Sequence, residues 1–213
     1  MHNFEDPRLI RQLAYINGKW TAGTSGRDEA VLNPATDEVI GRCTQLDETQ
    51  IVQAIDAAHA AFPAWRALSL DARGEILGKW HDLLLENKQA LARLMTLEQG
   101  KPLFEALGEI DYAASFIRWF AEEARRAYGE TIPSHINNAQ LGTVREPIGV
   151  AALITPWNFP CAMITRKAAA ALAAGCTVLV KPAGETPFSA LALAELAERA
   201  GFPAGVFNII TGE

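Results

Sequence analysis

The sequence predicts an α/β fold, a doubly wound parallel sheet with a β-hairpin and a run of helices in front of it. Beyond Gly149, apolar runs alternate with helical periods as strand 150–155, helix 163–174, strand 177–180, helix 187–200 and strand 206–210. These strands are almost continuously apolar, as strands buried on both faces are. Before them, several segments carry apolar residues at helical spacing, which supplies the helices such a sheet needs.

The elements follow in order. Tyr15-Ile16-Asn17-Gly18-Lys19-Trp20 sets an Asn-Gly pair between β-forming residues, and both central positions of a type I′ turn need positive φ, so the chain opens on a hairpin. A second strand-turn-strand covers 30–41, with Asn33-Pro34-Ala35-Thr36-Asp37 as its turn. Asp47 is the candidate N-cap of a helix whose Ile51, Ile55, Ala58 and Phe62 share a face and whose end is expected at Pro63. Ile76, Leu77, Trp80, Leu83 and Leu84 mark a second helix, and a third closes on Gly100 as C-cap. A fourth, over 103–126, is expected to bury Phe104, Leu107, Ala114, Ile117 and Phe120. Between Tyr128 and Pro147 the helical period disappears. Gly129, Pro133, Asn137-Asn138 and Gly142 break that segment into short extended pieces, an excursion from the main body.

Composition narrows the functional classes. The 213 residues carry a formal charge of -6, Asp and Glu (25) outnumber Lys and Arg (19), and no basic run offers a field for a polyphosphate, so nucleic acid is not an expected partner. Met1 to Ile10 has no apolar leader region, and the longest near-apolar run, 168–180, falls short of the roughly 20 residues of a membrane span. No membrane association and a cytoplasmic location are expected. Cys43, Cys161 and Cys176 are too far apart for a CxxC site and read as small buried hydrophobes. The histidines at 2, 59, 81 and 135 form no ligand cluster, so no metal is expected. GxGxxG, Walker A and GxSxG patterns are absent.

Ligands of such sheets bind outside the carboxyl ends of the strands, which directs attention to 156–160, 181–186 and Thr211-Gly212. Pro156 and Pro160 fix the backbone around Trp157, Asn158 and Phe159. The amide of Asn158 is suited to donate to an oxygen that becomes negative during a reaction, or else to cap the following helix. Lys181, closing a strand ahead of Pro182-Ala183-Gly184-Glu185, is either a nucleotide-binding cation or a solvated strand-end lysine.

The segments ITPWNFP (154–160), MITRKAAAALAAGCTVLVKPAGETPFSALALAELAERAG (163–201) and FNIITG (207–212) resemble the aldehyde dehydrogenase superfamily. The likeness extends through YINGKW (15–20), NPAT (33–36), AAFPAWRAL (60–68), MTLEQGKPLFEA (95–106) and EIDYAASFIRWFAEEARR (109–126), and is greatest to the succinate-semialdehyde dehydrogenase branch.

The resemblance implies NAD or NADP as cofactor and the oxidation of succinate semialdehyde to succinate, with glutarate semialdehyde or another aldehyde as alternative, or else a non-catalytic remnant that binds nucleotide or partner subunits. It implies that Asn158 forms half of an oxyanion hole, that Arg166 grips the substrate's distal carboxylate, and that Lys181 holds the adenosine ribose. Ile154, Thr155, Pro156 and Trp157 would line the nicotinamide side, and Pro182, Ala183, Gly184, Glu185 and Gly212 would complete the cofactor site. At Gly184 relatives carry a Ser that suits the 2′-phosphate of NADP or a Glu that suits the free ribose of NAD, and Glu185, one place later, tilts the expectation towards NAD. Residues 1–127 and 148–213 would belong to the cofactor-binding domain, and 128–147 would start an oligomerisation arm, giving a homo-oligomer. The family's Gly-Gln-x-Cys nucleophile and Glu-Leu-Gly-Gly base do not occur here. The expectation is therefore an N-terminal portion without the catalytic domain, inactive alone, with an uncovered sheet edge after its last strand and poor solubility.

Overall fold

The computed structural model describes residues 6–212; part of the stretch 1–10 considered above lies outside them. The hairpin forms as expected: β1 (Ala14–Ile16) pairs antiparallel with β2 (Lys19–Thr21) through Asn17 at φ 51° and Gly18 at φ 72°. β3 (Asp28–Leu32) and β4 (Val39–Thr44) form a separate two-stranded ribbon around the Asn33 turn. Four helices follow, α1 (Glu48–Ala67), α2 (Leu70–Glu86), α3 (Lys88–Gln99) and α4 (Leu103–Glu123). The segment from Tyr128 to Pro147 holds a small exposed ribbon of β5 (Glu130–Ile132) and β6 (Leu141–Thr143). The chain then runs β7 (Val150–Ile154), α5 (Ala162–Ala174), β8 (Thr177–Lys181), α6 (Pro187–Ala200) and β9 (Phe207–Ile209), the βαβαβ order read from the sequence.

The main sheet has the order β2-β1-β9-β8-β7. β7, β8 and β9 are parallel, and both crossovers step the same way, so right-handedness places α5 and α6 on one face. α2 and α4 pack outside them, and α1 covers the other face. Alternation along β8 shows the division. Val178 and Val180 enter the larger core with Trp80, Ile117, Leu172 and Phe207, while Leu179 joins Ala14, Ala54 and Ile210 on the α1 side. Trp65 and Trp80 are buried with their indole N–H groups satisfied, donating to Leu172 O and Leu193 O at 3.1 Å each.

Four expectations are corrected. Pro63 does not end α1, which continues to Ala67: Pro63 is exposed, so the carbonyl it orphans faces water, while buried Trp65 anchors the last turn. The buried face of α1 is Gln50, Ala54, Ala58 and Trp65, and Ile55 is exposed, because the helix turns a face one position away from the predicted stripe to the sheet. Phe104 is 73% exposed; Ala106, Ile110 and Ala113 carry the core face of α4 instead. Finally, β9 is not an edge. β1 pairs with it antiparallel at Tyr15↔Ile209, so the opening hairpin covers the flank expected to be bare, and β2 and β7 are the outer strands of this sheet.

Candidate active site

The carboxyl ends of β7 and β8 lie side by side, with Ile154 in register with Lys181 and Thr155 N donating to Lys181 O at 3.1 Å. Lys167 on α5 reaches back and donates to Ile154 O at 2.9 Å. The loop after β7 is thus tied at its root from two sides.

Its tip is held by a residue that sequence reasoning missed. Lys101, in the turn between α3 and α4, donates to Asn158 O at 2.9 Å, stands 4.3 Å from the centre of the Phe159 ring, and makes a short ion pair with the buried carboxylate of Glu109. Glu109 in turn accepts from Cys161 N at 3.0 Å and Ala162 N at 3.2 Å, the first amides of α5. An acidic side chain from α4 therefore caps α5, and Asn158 does not: its exposed side chain makes no hydrogen bond with the described residues, which leaves the amide free to meet a ligand. Glu98 of α3 repeats the arrangement at α6, accepting from Phe188 N at 2.8 Å and Ser189 N at 2.7 Å. The signal for both glutamates lies in their places within apolar stripes, Glu98 after Leu91 and Met95, Glu109 between Ala106 and Ala113.

The second strand-end cleft is lined by Pro182, Ala183 and Gly184 from the loop after β8, Thr211 and Gly212 after β9, and Cys43 and Gln45 from the end of β4. Gly212 has φ 142°, a backbone conformation that strains any residue with a side chain, and a Cβ there would stand in ordinary contact with Leu46 O at 3.5 Å and Gln45 Oε1 at 3.6 Å. Gly184 faces Glu29: a Cβ would lie 3.7 Å from its Oε2, which also accepts from Gln45 Nε2 at 3.1 Å. Glu29 was not singled out in the sequence, because the β3–β4 ribbon brings it in from a distant segment. Arg166, Glu185 and Trp157 are exposed, Arg166 one residue from the lysine that binds Ile154 O.

Chemically, the arrangement offers an unencumbered amide, cations at the strand ends and a glycine-walled cleft. The starts of α5 and α6 are not open anion sites, because Glu109 and Glu98 already occupy the helix-end amides that bind anions in other nucleotide folds. None of the three cysteines offers a nucleophile. All are buried, burial pushes the Cys43 thiol up to about 12, and it pushes that of Cys161 well above the usual thiol range. Among the described residues no helix is long and apolar enough to cross a membrane.

The aldehyde dehydrogenase family model matches residues 20–213. The aspartate-semialdehyde dehydrogenase (non-phosphorylating) of Halomonas elongata is 66% identical, over 100% of this chain and 43% of its own length. The glutarate-semialdehyde dehydrogenase of Pseudomonas putida is 59% identical, over 98% of this chain and 43% of its own. The crystal structure of succinate-semialdehyde dehydrogenase from Burkholderia pseudomallei superposes with a TM-score of 0.98 at 51% identity, over 100% of this chain and 44% of that one. The chain thus spans less than half the length of these relatives. Family model, relatives and fold agree, and the chain belongs to the aldehyde dehydrogenase family.

Proposed function

We propose that this chain supplies the cofactor seat and one oxyanion donor of a cytoplasmic, NAD(P)-dependent dehydrogenase for aldehydes that carry a distal carboxylate, with succinate semialdehyde as the substrate and glutarate semialdehyde as the alternative. The named activities of relatives support the class: the Halomonas, Pseudomonas and Burkholderia proteins are named for aspartate, glutarate and succinate semialdehydes, all carboxylated aldehydes. Bound NAD(P)+ supplies the hydride acceptor, and the aldehyde with water leaves as the acid.

The observation that carries this reading is the free side chain of Asn158 on a loop whose backbone Lys101 holds. In this role the amide donates to the carbonyl oxygen of the aldehyde as that oxygen gains charge. Arg166 binds the far carboxylate through charge-assisted bonds. Lys181 and the walls at Pro182, Ala183, Gly184 and Gly212 seat the adenosine, with Glu185 at its rim, and Ile154, Thr155, Pro156 and Trp157 face the nicotinamide. The buried thiols leave the covalent step to groups outside the described residues, so these residues alone would not turn over aldehyde. The exposed β5–β6 ribbon serves as an arm towards another copy of the protein.

In a full-length enzyme that carries this portion, Asn158→Ala should lower kcat by about 10²–10³ while KM changes little. Unchanged turnover would remove Asn158 from the oxyanion site. Arg166→Ala should raise KM for succinate semialdehyde far more than for an uncharged aldehyde; equal effects on both would end the carboxylate role.

A further inference from the structure

The loop after β8 presents no side chain at Gly184, yet the space in front of it is not free of charge. Glu29 enters from β3, where it lies in register opposite Cys43, one of the residues lining the strand-end cleft. Its Oε2 stands 3.7 Å from where a Gly184 Cβ would be, and Gln45 Nε2 donates to that same oxygen at 3.1 Å. Gln45 also lines the cleft beside Gly212, so one amide both orients the carboxylate and closes the wall. Oε1 is left to accept.

We propose that Glu29 sets the dinucleotide preference of this protein, accepting hydrogen bonds from a free adenosine ribose and repelling a 2′-phosphate, so that NAD+ binds in preference to NADP+. The inference rests on the reading of the 181–185 loop as the seat of the adenosine ribose. A carboxylate can only accept, and ribose hydroxyls donate; a phosphate at the same place carries negative charge and has no proton to offer near neutral pH. A charge from the separate β3–β4 ribbon thus does what a longer residue at position 184 would otherwise do. The cation best placed to oppose it is Arg27, which lines the groove adjoining Glu29 and Gln45, with its Nε directed to Ser25 Oγ at 3.4 Å; Arg42 is engaged with Asp28.

The test is calorimetric titration of the purified protein with NAD+ and with NADP+, which needs no turnover. The wild type should bind NAD+ about tenfold more tightly, and Glu29→Gln, which keeps the side-chain size, should erase most of that ratio by strengthening NADP+ binding about tenfold. Because Glu29 is exposed, the wild-type ratio should also shrink as salt is raised. A ratio that Glu29→Gln leaves unchanged overturns the proposal while the cleft keeps its assignment. A wild type that prefers NADP+ and loses that preference in Arg27→Ala overturns it in favour of the arginine. Binding of neither dinucleotide overturns the assignment of the cleft itself, and the proposal with it.

Discussion

Helices α5 and α6 leave the same sheet edge one crossover apart, and a buried glutamate from the outer helical layer caps each of them. At α5 the cap is Glu109 from α4; at α6 it is Glu98 from α3. The difference lies behind the carboxylates. Glu109 has Lys101 against it, and the same ammonium reaches on to Asn158 O and the Phe159 ring. Glu98 is buried deeply enough that desolvation pushes its pKa up to about 7 against the pull of the Ser189 and Phe188 bonds, with the negative charge of Glu109 adding to the rise. The same capping device thus has its charge balanced at α5, where the loop before the helix carries the candidate oxyanion donor, and lacks that balance at α6.

The largest expected effect comes from dismantling the balanced cap. Glu109→Ala removes the acceptor of two buried amides and strands Lys101, and should cost about 5 kcal/mol in urea unfolding. A loss below about 1 kcal/mol would show that water replaces the carboxylate and that the two caps are not alike. Lys101→Met keeps both amide bonds but leaves a buried carboxylate without its cation, which should cost about 3 kcal/mol. A loss below about 1 kcal/mol would show that the amides of Cys161 and Ala162 satisfy the carboxylate without the ammonium.

The unbalanced cap gives a prediction of opposite construction. In the folded protein Glu98 keeps its proton up to about pH 7, whereas an ordinary glutamate loses it near 4.5. Between those values the folded state holds the extra proton, so the contribution of Glu98 to stability is full below about 4.5, falls as the pH rises, and is lost above about 7. The fall should be on the order of 3 kcal/mol, and Glu98→Gln should flatten it. A variant that follows the wild-type slope would mean that the slope comes from other groups. Asp6 cannot supply it, since Arg8 and Arg199 hold its carboxyl below the usual range and its contribution runs the other way, lost as the pH falls.

The contrast also marks which parts of the molecule are legible in sequence. The Asp47 cap, the Asn17-Gly18 hairpin and the Gly100 and Gly175 helix ends were open to reading or follow familiar local rules, because cause and effect lie within a few residues. The βαβαβ order was legible because hydrophobic period is a local property as well. Lys101, Glu109, Glu98 and Glu29 were missed because each acts on a segment dozens of residues away; Glu98 meets Ser189 across a sequence separation of 91. Phe104 and Ile55 failed for a related reason. Period identifies a helix face but not which face the rest of the fold covers. The place of β1 beside β9 is likewise a tertiary outcome, since nothing in a hairpin's own residues names the strand it joins.

The smallest effect is the one that separates the two meanings the sequence allowed for Asn158. Had its side chain capped α5, Asn158→Ala would cost about 1 kcal/mol, as the loss of an N-cap does. With Glu109 holding those amides and the Asn158 side chain exposed, the same substitution should change unfolding free energy by less than about 0.5 kcal/mol. A loss near 1 kcal/mol would return Asn158 to structural duty and weaken the contrast between the two helix ends. A stability left intact, together with a large fall in kcat, would show that this position is conserved in its geometry by Lys101 and spent in its side chain on chemistry, which no residue at the start of α6 is arranged to do.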